Sequence, residues 1–354
     1  MHRSIIDRSV AAIGAALLIV ALTAAPALAC GGLIGPNGAV NLLRTTTLAA
    51  YHDGAEHYVT AFQFAGGGGA FGSLTPLPGI PSSVEKGGAW TLQRLVRETD
   101  PVLFEGDLAV RAAAPAAGSA EELMKVRIDA LDVTVLRGGS AAVGQWAKDH
   151  GFRLPPDAPE VLDFYAERSP IFLAAVFDAD AAAARGQAIG DGTPVHVTIP
   201  TDNPWVPLRI LTLGKTATER VDADVYLLTD HRPALLPAPG ADNGLLLGHS
   251  APASDPLLDD LRGDKGMGWI PASAWLSKVT IDAAVPDLGF DLAIDASGAG
   301  TPSRVMAGLD RPGTITTPDR TGELVPLFVG LAFTVAGIGG LVLVSRRRPP
   351  LSMA

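Results

Sequence analysis

The chain has 354 residues, 47% of them hydrophobic, and a formal charge of −10; that acidity repels phosphate backbones and excludes a nucleic-acid-binding role. One cysteine excludes an intramolecular disulfide. Forty glycines and 28 prolines are too few for low-complexity disorder but enough for many turns around a packed core.

Residues 1–29 read as a secretory signal, with His2, Arg3 and Arg8 before the apolar run Val10 to Leu22 and a small-x-small cleavage pattern at Ala27-Leu28-Ala29. Cys30 would then open the mature chain, either plainly processed or lipidated; an uncleaved anchor helix is the other reading. From Leu48 a hairpin is expected around Asp53-Gly54, continuing from Tyr58 to Phe64. Gly66 to Gly69 form a flexible loop or an anion cradle, and Pro76, Pro78 and Pro81 mark an extended connection or sheet edge. Leu92, Leu95, Val96 and Thr99 have helical spacing, stopped by Asp100-Pro101.

Pro115 to Ser119 is a small-residue loop, and Ser119 with Glu122 has capping-box spacing for a short helix before a strand at Val133 to Leu136. Ser140 is placed to cap a helix carrying Val143, Trp146, Ala147 and His150, ended by Gly151; another short helix carries Val161, Phe164 and Tyr165. Strands follow at Ile171 to Phe177, Val195 to Ile199, Leu208 to Leu213, Val221 to Leu228 and Trp275 to Ile281, with a loop-rich stretch from Arg232 to Pro256. The fold class is therefore α+β, mostly antiparallel sheet with a few short helices. An echo between Tyr58–Pro81 and Ile171–Pro207 allows two related halves.

The extracytoplasmic domain is placed at 30–294, a flexible stalk at 295–323, a transmembrane helix at 324–344 and a cytoplasmic tail at 345–354. The 21 uncharged residues from Leu324 to Val344 are long enough to span a bilayer, and Arg346, Arg347 and Arg348 hold the tail inside by the positive-inside rule. Ala332, Ala336 and Gly340 form a small-residue stripe that lets two spans pack; a sortase-type sorting tail is a further reading of this region. Setting aside the +1 of the signal and the +3 of the tail leaves −14 on the intervening chain, which serves solubility or capture of a cationic partner.

Cys30-Gly31-Gly32, Phe71 with Pro76-Leu77-Pro78, a helix ending Thr99-Asp100-Pro101, then Trp146 with Gly151-Phe152-Arg153-Leu154-Pro155 and Tyr165 before an apolar strand occur in an order that resembles the bacterial domain-of-unknown-function family 2330 over residues 30 to 285. The resemblance implies an exported bacterial protein and supplies no catalytic residues. Ile34 stands where a second cysteine is expected of the family, so a thiol role does not carry over.

Candidate chemistry is sparse. His52 and His57, flanking the turn on one face, are a possible metal pair with Asp53 or Glu56, or ordinary hairpin residues. Cys30 as a nucleophile would need a base and a lowered pKa. His196 and His231 have acidic or hydroxyl neighbours in sequence only, and Trp205 and Trp269 form either a binding platform or core. No nucleophile-elbow, zincin or Cys-x-x-Cys motif occurs, so no catalytic, cofactor or metal residue is assigned. The expected function is a membrane-anchored extracytoplasmic binding, assembly or structural component of the cell envelope, the alternative an envelope hydrolase or metal-dependent enzyme.

Overall fold

In a computed structural model the described residues are 32–36, 38–39, 45–63, 71–100, 122–184, 186 and 192–313. In chain order they form β1 (Gly32–Gly35), β2 (Gly38–Ala39), β3 (Thr45–His52), β4 (Ala55–Gln63), β5 (Phe71–Leu77), β6 (Ser83–Lys86), α1 (Thr91–Thr99), β7 (Glu122–Ile128), β8 (Leu131–Arg137), α2 (Ser140–Asp149), α3 (Ala158–Ala166) and β9 (Ile171–Phe177). Then come α4 (Ala179–Ala184), β10 (Gly192–Pro200), β11 (Trp205–Val206), β12 (Arg220–Thr229), β13 (Ala234–Leu236), β14 (Leu245–Pro252), α5 (Asp255–Gly263), β15 (Trp275–Ala284) and β16 (Leu292–Asp295).

The hairpin sets the geometry of the first sheet. Asp53 and Gly54 take φ of 50° and 75°, the positive values that a two-residue turn of this kind needs, and His52 pairs with Ala55. The sheet runs β14-β15-β12-β3-β4-β10-β6, with β12 and β3 parallel and the other pairs antiparallel. A second sheet, β2-β1-β5-β9-β8-β7, is antiparallel throughout, and β11-β16-β13 form a small third one.

Period-two alternation explains why the first sheet is covered on both faces. On β12, Val221, Ala223, Val225 and Leu227 enter the large core shared with the second sheet. Tyr226 and Leu228 enter a smaller core with Leu95 of α1 and Leu257, Leu258 and Leu261 of α5. The nearly unbroken apolar run of β9 lies between β5 and β8 and is buried along almost its whole length, as expected of a strand covered on both faces. Pro76 is tolerated within β5 because β1 pairs only with Gly72 to Leu74.

Helix α1 has no side-chain cap of its own at Trp90. The buried carboxylate of Asp264 supplies one from across the fold, accepting from Ala89 N (3.1 Å), Trp90 N (2.9 Å) and Thr91 Oγ1 (2.9 Å). The chain after α5 is thereby tied to the start of α1.

Several expectations change. Glu122 begins strand β7, not a capped helix. Arg209–Thr212 is a 3₁₀ turn, not part of a strand at 208–213, because Leu208 N and Arg209 N donate to Asp291 and Ile210 N donates to the Tyr165 hydroxyl, which holds the segment curled. The stretch 232–256 carries β13 and β14. The residues after Asp295, read as the start of a stalk, pack on the body: Ala307 is buried, Asp291 N donates to Ala307 O (3.0 Å), and Arg168 Nη1 donates to Met306 O (2.6 Å). Gly308, at φ 73°, lies where a Cβ would stand 2.3 Å from the Phe164 ring. Glycine here permits close approach to the body rather than looseness.

The two echoing segments lie within one body. β4 pairs with β10 and β5 with β9, both antiparallel, so the echoes run side by side through both sheets, and the described residues to Pro312 belong to one compact unit. No helix among the described residues is long and apolar enough to cross a membrane. The signal, Cys30, the Gly66–Gly69 loop, the 115–119 loop, the 324–344 span and the tail lie outside the described residues.

Candidate functional site

The tip of the β3–β4 hairpin forms one wall of a groove. Tyr51, Asp53 and Gly54 meet the Asp202-Asn203-Pro204 loop, Asp230 and His231 after β12, and residues 294–297 and 301–303 around a cavity of about 400 Å³. Four carboxylates line it, those of Asp53, Asp202, Asp230 and Asp295, with no lysine or arginine among the lining residues. Asp295 accepts from Ser297 N (3.0 Å) and Oγ (2.6 Å), which shapes the far wall. The Tyr51 hydroxyl donates to Thr201 O (3.0 Å), and burial, then Asp202, Glu56 and Asp295, push its pKa up.

Opposite Tyr51 in the hairpin register is Glu56, which is fully buried. Its Oε2 accepts from Trp205 N (3.1 Å), while Oε1 has no partner among the described residues. Burial raises this carboxyl to about 8, against the smaller opposing effect of the Trp205 N–H.

His52 and His57 do not form a pair. His52 Nδ1 lies 2.7 Å from Asp230 and its Nε2 lies 3.4 Å from Asp53, so both nitrogens face carboxylates. Neither ring nitrogen meets a hydroxyl, as a Ser-His-Asp arrangement would need. His57 Nδ1 instead lies 3.0 Å from His196 Nε2. The ring centroids are 5.2 Å apart and the planes within 21°, so the nitrogens face head-on in nearly coplanar rings. The indole of Trp269 covers both, 3.9 Å from His57 at 6° and 5.0 Å from His196 at 20°.

The tautomer follows from what surrounds His196. Its Nδ1 is buried without a partner, and a proton there would be an orphaned donor. The proton therefore sits on Nε2, donating to His57 Nδ1, with Thr198 Oγ1 at 3.4 Å. Burial, and then the charge of His52 on His57 and of His57 on His196, hold both rings down at about 4, so both are neutral at pH 7.

This geometry fits a shared proton and not a metal ion. Two in-line imidazoles bound to one metal stand about 4 Å apart, twice a metal–nitrogen bond of about 2.0 Å. A His196 ligating through Nε2 would also carry its proton on Nδ1, without the outer-sphere acceptor that such ligands use. No group of three or more His, Cys, Asp or Glu among the described residues is arranged to hold a metal.

Trp205 is buried and stacks on Tyr165, with centroids 5.8 Å apart, and Trp269 is committed to the histidines, so neither forms an open platform. Asp202, Asp230 and Asp295 were not singled out by the sequence. An aspartate beside prolines or glycines is ordinary turn chemistry, and only the meeting of four separate chain segments makes these converge.

Fold and groove together define an α+β protein with two large sheets and an acid-lined groove. The chain belongs to the family described as "Uncharacterized protein conserved in bacteria (DUF2330)", which matches residues 24–243. That match stops short of β14, α5, β15 and β16. Among curated proteins none matches significantly. Among solved structures the chain is similar to baculovirus P35, with 10% identity over 71% of this chain and 96% of that one, TM-score 0.37. It is also similar to P35 in the "caspase-8/P35 complex" (8%, 71% and 95%, TM-score 0.37) and to a mutated P35 after caspase cleavage (8%, 72% and 94%, TM-score 0.37). Likeness at that TM-score assigns neither fold nor function to this chain.

Proposed function

We propose that this protein is an exported bacterial envelope component, tethered by residues 324–344 with its body outside and residues 345–354 in the cytoplasm, and that it binds a cationic ligand in the groove. The carrying observation is the groove lining, four carboxylates without a lysine or arginine. In a partly enclosed cleft such carboxylates focus field and favour a positive ligand. The carboxylates are spread along the groove, on the hairpin tip, the Asp202 loop, the end of β12 and the end of β16, which suits an extended organic cation, a lysine- or arginine-bearing segment or an amine. The signal pattern, the uncharged 324–344 run and Arg346 to Arg348 support the tether.

Protease added to intact cells should remove the body and leave the tail; full protection of the body contradicts the topology. In calorimetry, a lysine-rich peptide should bind the full chain saturably and weaken as salt rises. Asp202→Asn with Asp295→Asn should reduce affinity by about thirtyfold, each lost charge contact being worth roughly 1 kcal/mol. Binding unaffected by both substitutions would place the ligand elsewhere.

A further inference from the structure

We propose that His57, His196 and Trp269 form an acid-sensitive latch, fastening segment 264–274 to the first sheet while the imidazoles are neutral and releasing it when they are protonated. The latch is independent of the groove. His57 on β4 and His196 on β10 share the sheet face that carries Val59 of the smaller core, and Trp269 lies flat over both rings. The same segment holds Asp264, which caps α1, and Met267 and Ile270, which belong to the smaller core. Letting go of Trp269 thus loosens the cap of α1 and the cover of that core.

An added proton finds no good place. On His57 Nδ1 it would point at the Nε2–H of His196, replacing a hydrogen bond by two opposed donors. On His196 Nδ1 it would make a cation whose new N–H is buried without an acceptor. Both outcomes disrupt the coplanar pair on which the indole rests.

The charged groups around the pair leave this balance in place. On β3, His52 is held between Asp230 and Asp53. On β6, Glu85 stands directly across from His196 and is exposed, and Lys86 is paired with Asp129. On β4, Glu56 belongs to the opposite face. On the segment itself, Asp264 is occupied by Ala89, Trp90 and Thr91, and Lys265 is exposed. The hydrogen bonds of the two rings go to each other and to Thr198.

Hydrogen–deuterium exchange of the full chain, corrected for the intrinsic effect of pH, tests the latch. Between about pH 6.5 and 4, the window in which buried histidines of this kind titrate, protection of 264–274 should fall by about tenfold or more while β9 stays protected. His196→Gln, which cannot take up a proton, should keep 264–274 protected throughout. Loss of protection in both regions together, retention in 264–274 down to about pH 3.5, or an unchanged transition in His196→Gln would each overturn the proposal. Should the variant fail to protect β9 at neutral pH, histidine Cε1 exchange on the wild-type chain decides: opening must coincide with titration of His57 or His196, and opening while both stay neutral refutes the latch.

Discussion

Asp291→Ala is expected to destabilise the protein by about 3–5 kcal/mol, the usual cost of leaving one member of a buried ion pair alone. The Asp291 carboxylate is fully buried and accepts from Arg168 Nη2 (2.9 Å), the Tyr165 hydroxyl (2.9 Å), Leu208 N (2.8 Å) and Arg209 N (3.0 Å). It joins α3, the 3₁₀ turn and the approach to β16. Arg168 is equally committed: its guanidinium lies 3.7 Å from the centroid of the Phe164 ring and donates to Met306 O. Burial raises the Asp291 pKa more than Arg168, the Arg209 N–H and the Tyr165 hydroxyl lower it, so desolvation outweighs pairing. Replacing both partners by apolar residues, Arg168→Met with Asp291→Leu, should therefore cost less than either single change, apart from the Leu208 N–H, the Arg209 N–H and the Tyr165 hydroxyl left without their acceptor. Urea midpoints of the two singles and the double measure this; additive losses would show that the two side chains act independently.

Glu56→Gln is expected to leave stability unchanged near pH 4.5 and to raise it by about 2–4 kcal/mol near pH 9. The sign follows from proton binding. Glu56 has a folded pKa of about 8 against an ordinary 4.5, so its folded form keeps a proton that the unfolded chain gives up. Its contribution is full below about pH 4.5 and is lost as pH rises through about 8. Glutamine keeps an acceptor for Trp205 N without the titration. The His57–His196 pair acts in the opposite sense: with folded values of about 4 against 6.5, its stability is present above about 6.5 and lost as pH falls through about 4. Thermal melts across pH should give a maximum on the acid side of neutrality, and Glu56→Gln should flatten only the alkaline limb. A wild-type alkaline limb as flat as that of the variant would contradict the buried, protonated Glu56.

Local chemistry made much of this fold legible. Asp53-Gly54 has one good use between two β-rich runs, and the turn forms there. The apolar spacing of α1 and the apolar run of β9 also appear as read. The failures share a cause. Leu208 to Leu213 has the apolar content of a strand, but a carboxylate 78 or more residues later in the chain bends it into a turn. Glycine and proline after Asp295 read as slack, whereas Gly308 is there for close contact with Phe164. Composition reports what a segment tolerates, and the partner decides what it does.

The sequence by itself determined the α+β class, the hairpin and the family, because turn chemistry and hydrophobic period are local signals. Only the tertiary structure decided that His57 meets His196 rather than His52, that Asp264 caps a helix over 160 residues away, and that four aspartates from separate parts of the chain line one groove. The physical reason is range: a hydrogen bond or a carboxylate cluster depends on distances of a few ångströms, set here by strand pairings between residues far apart in the chain.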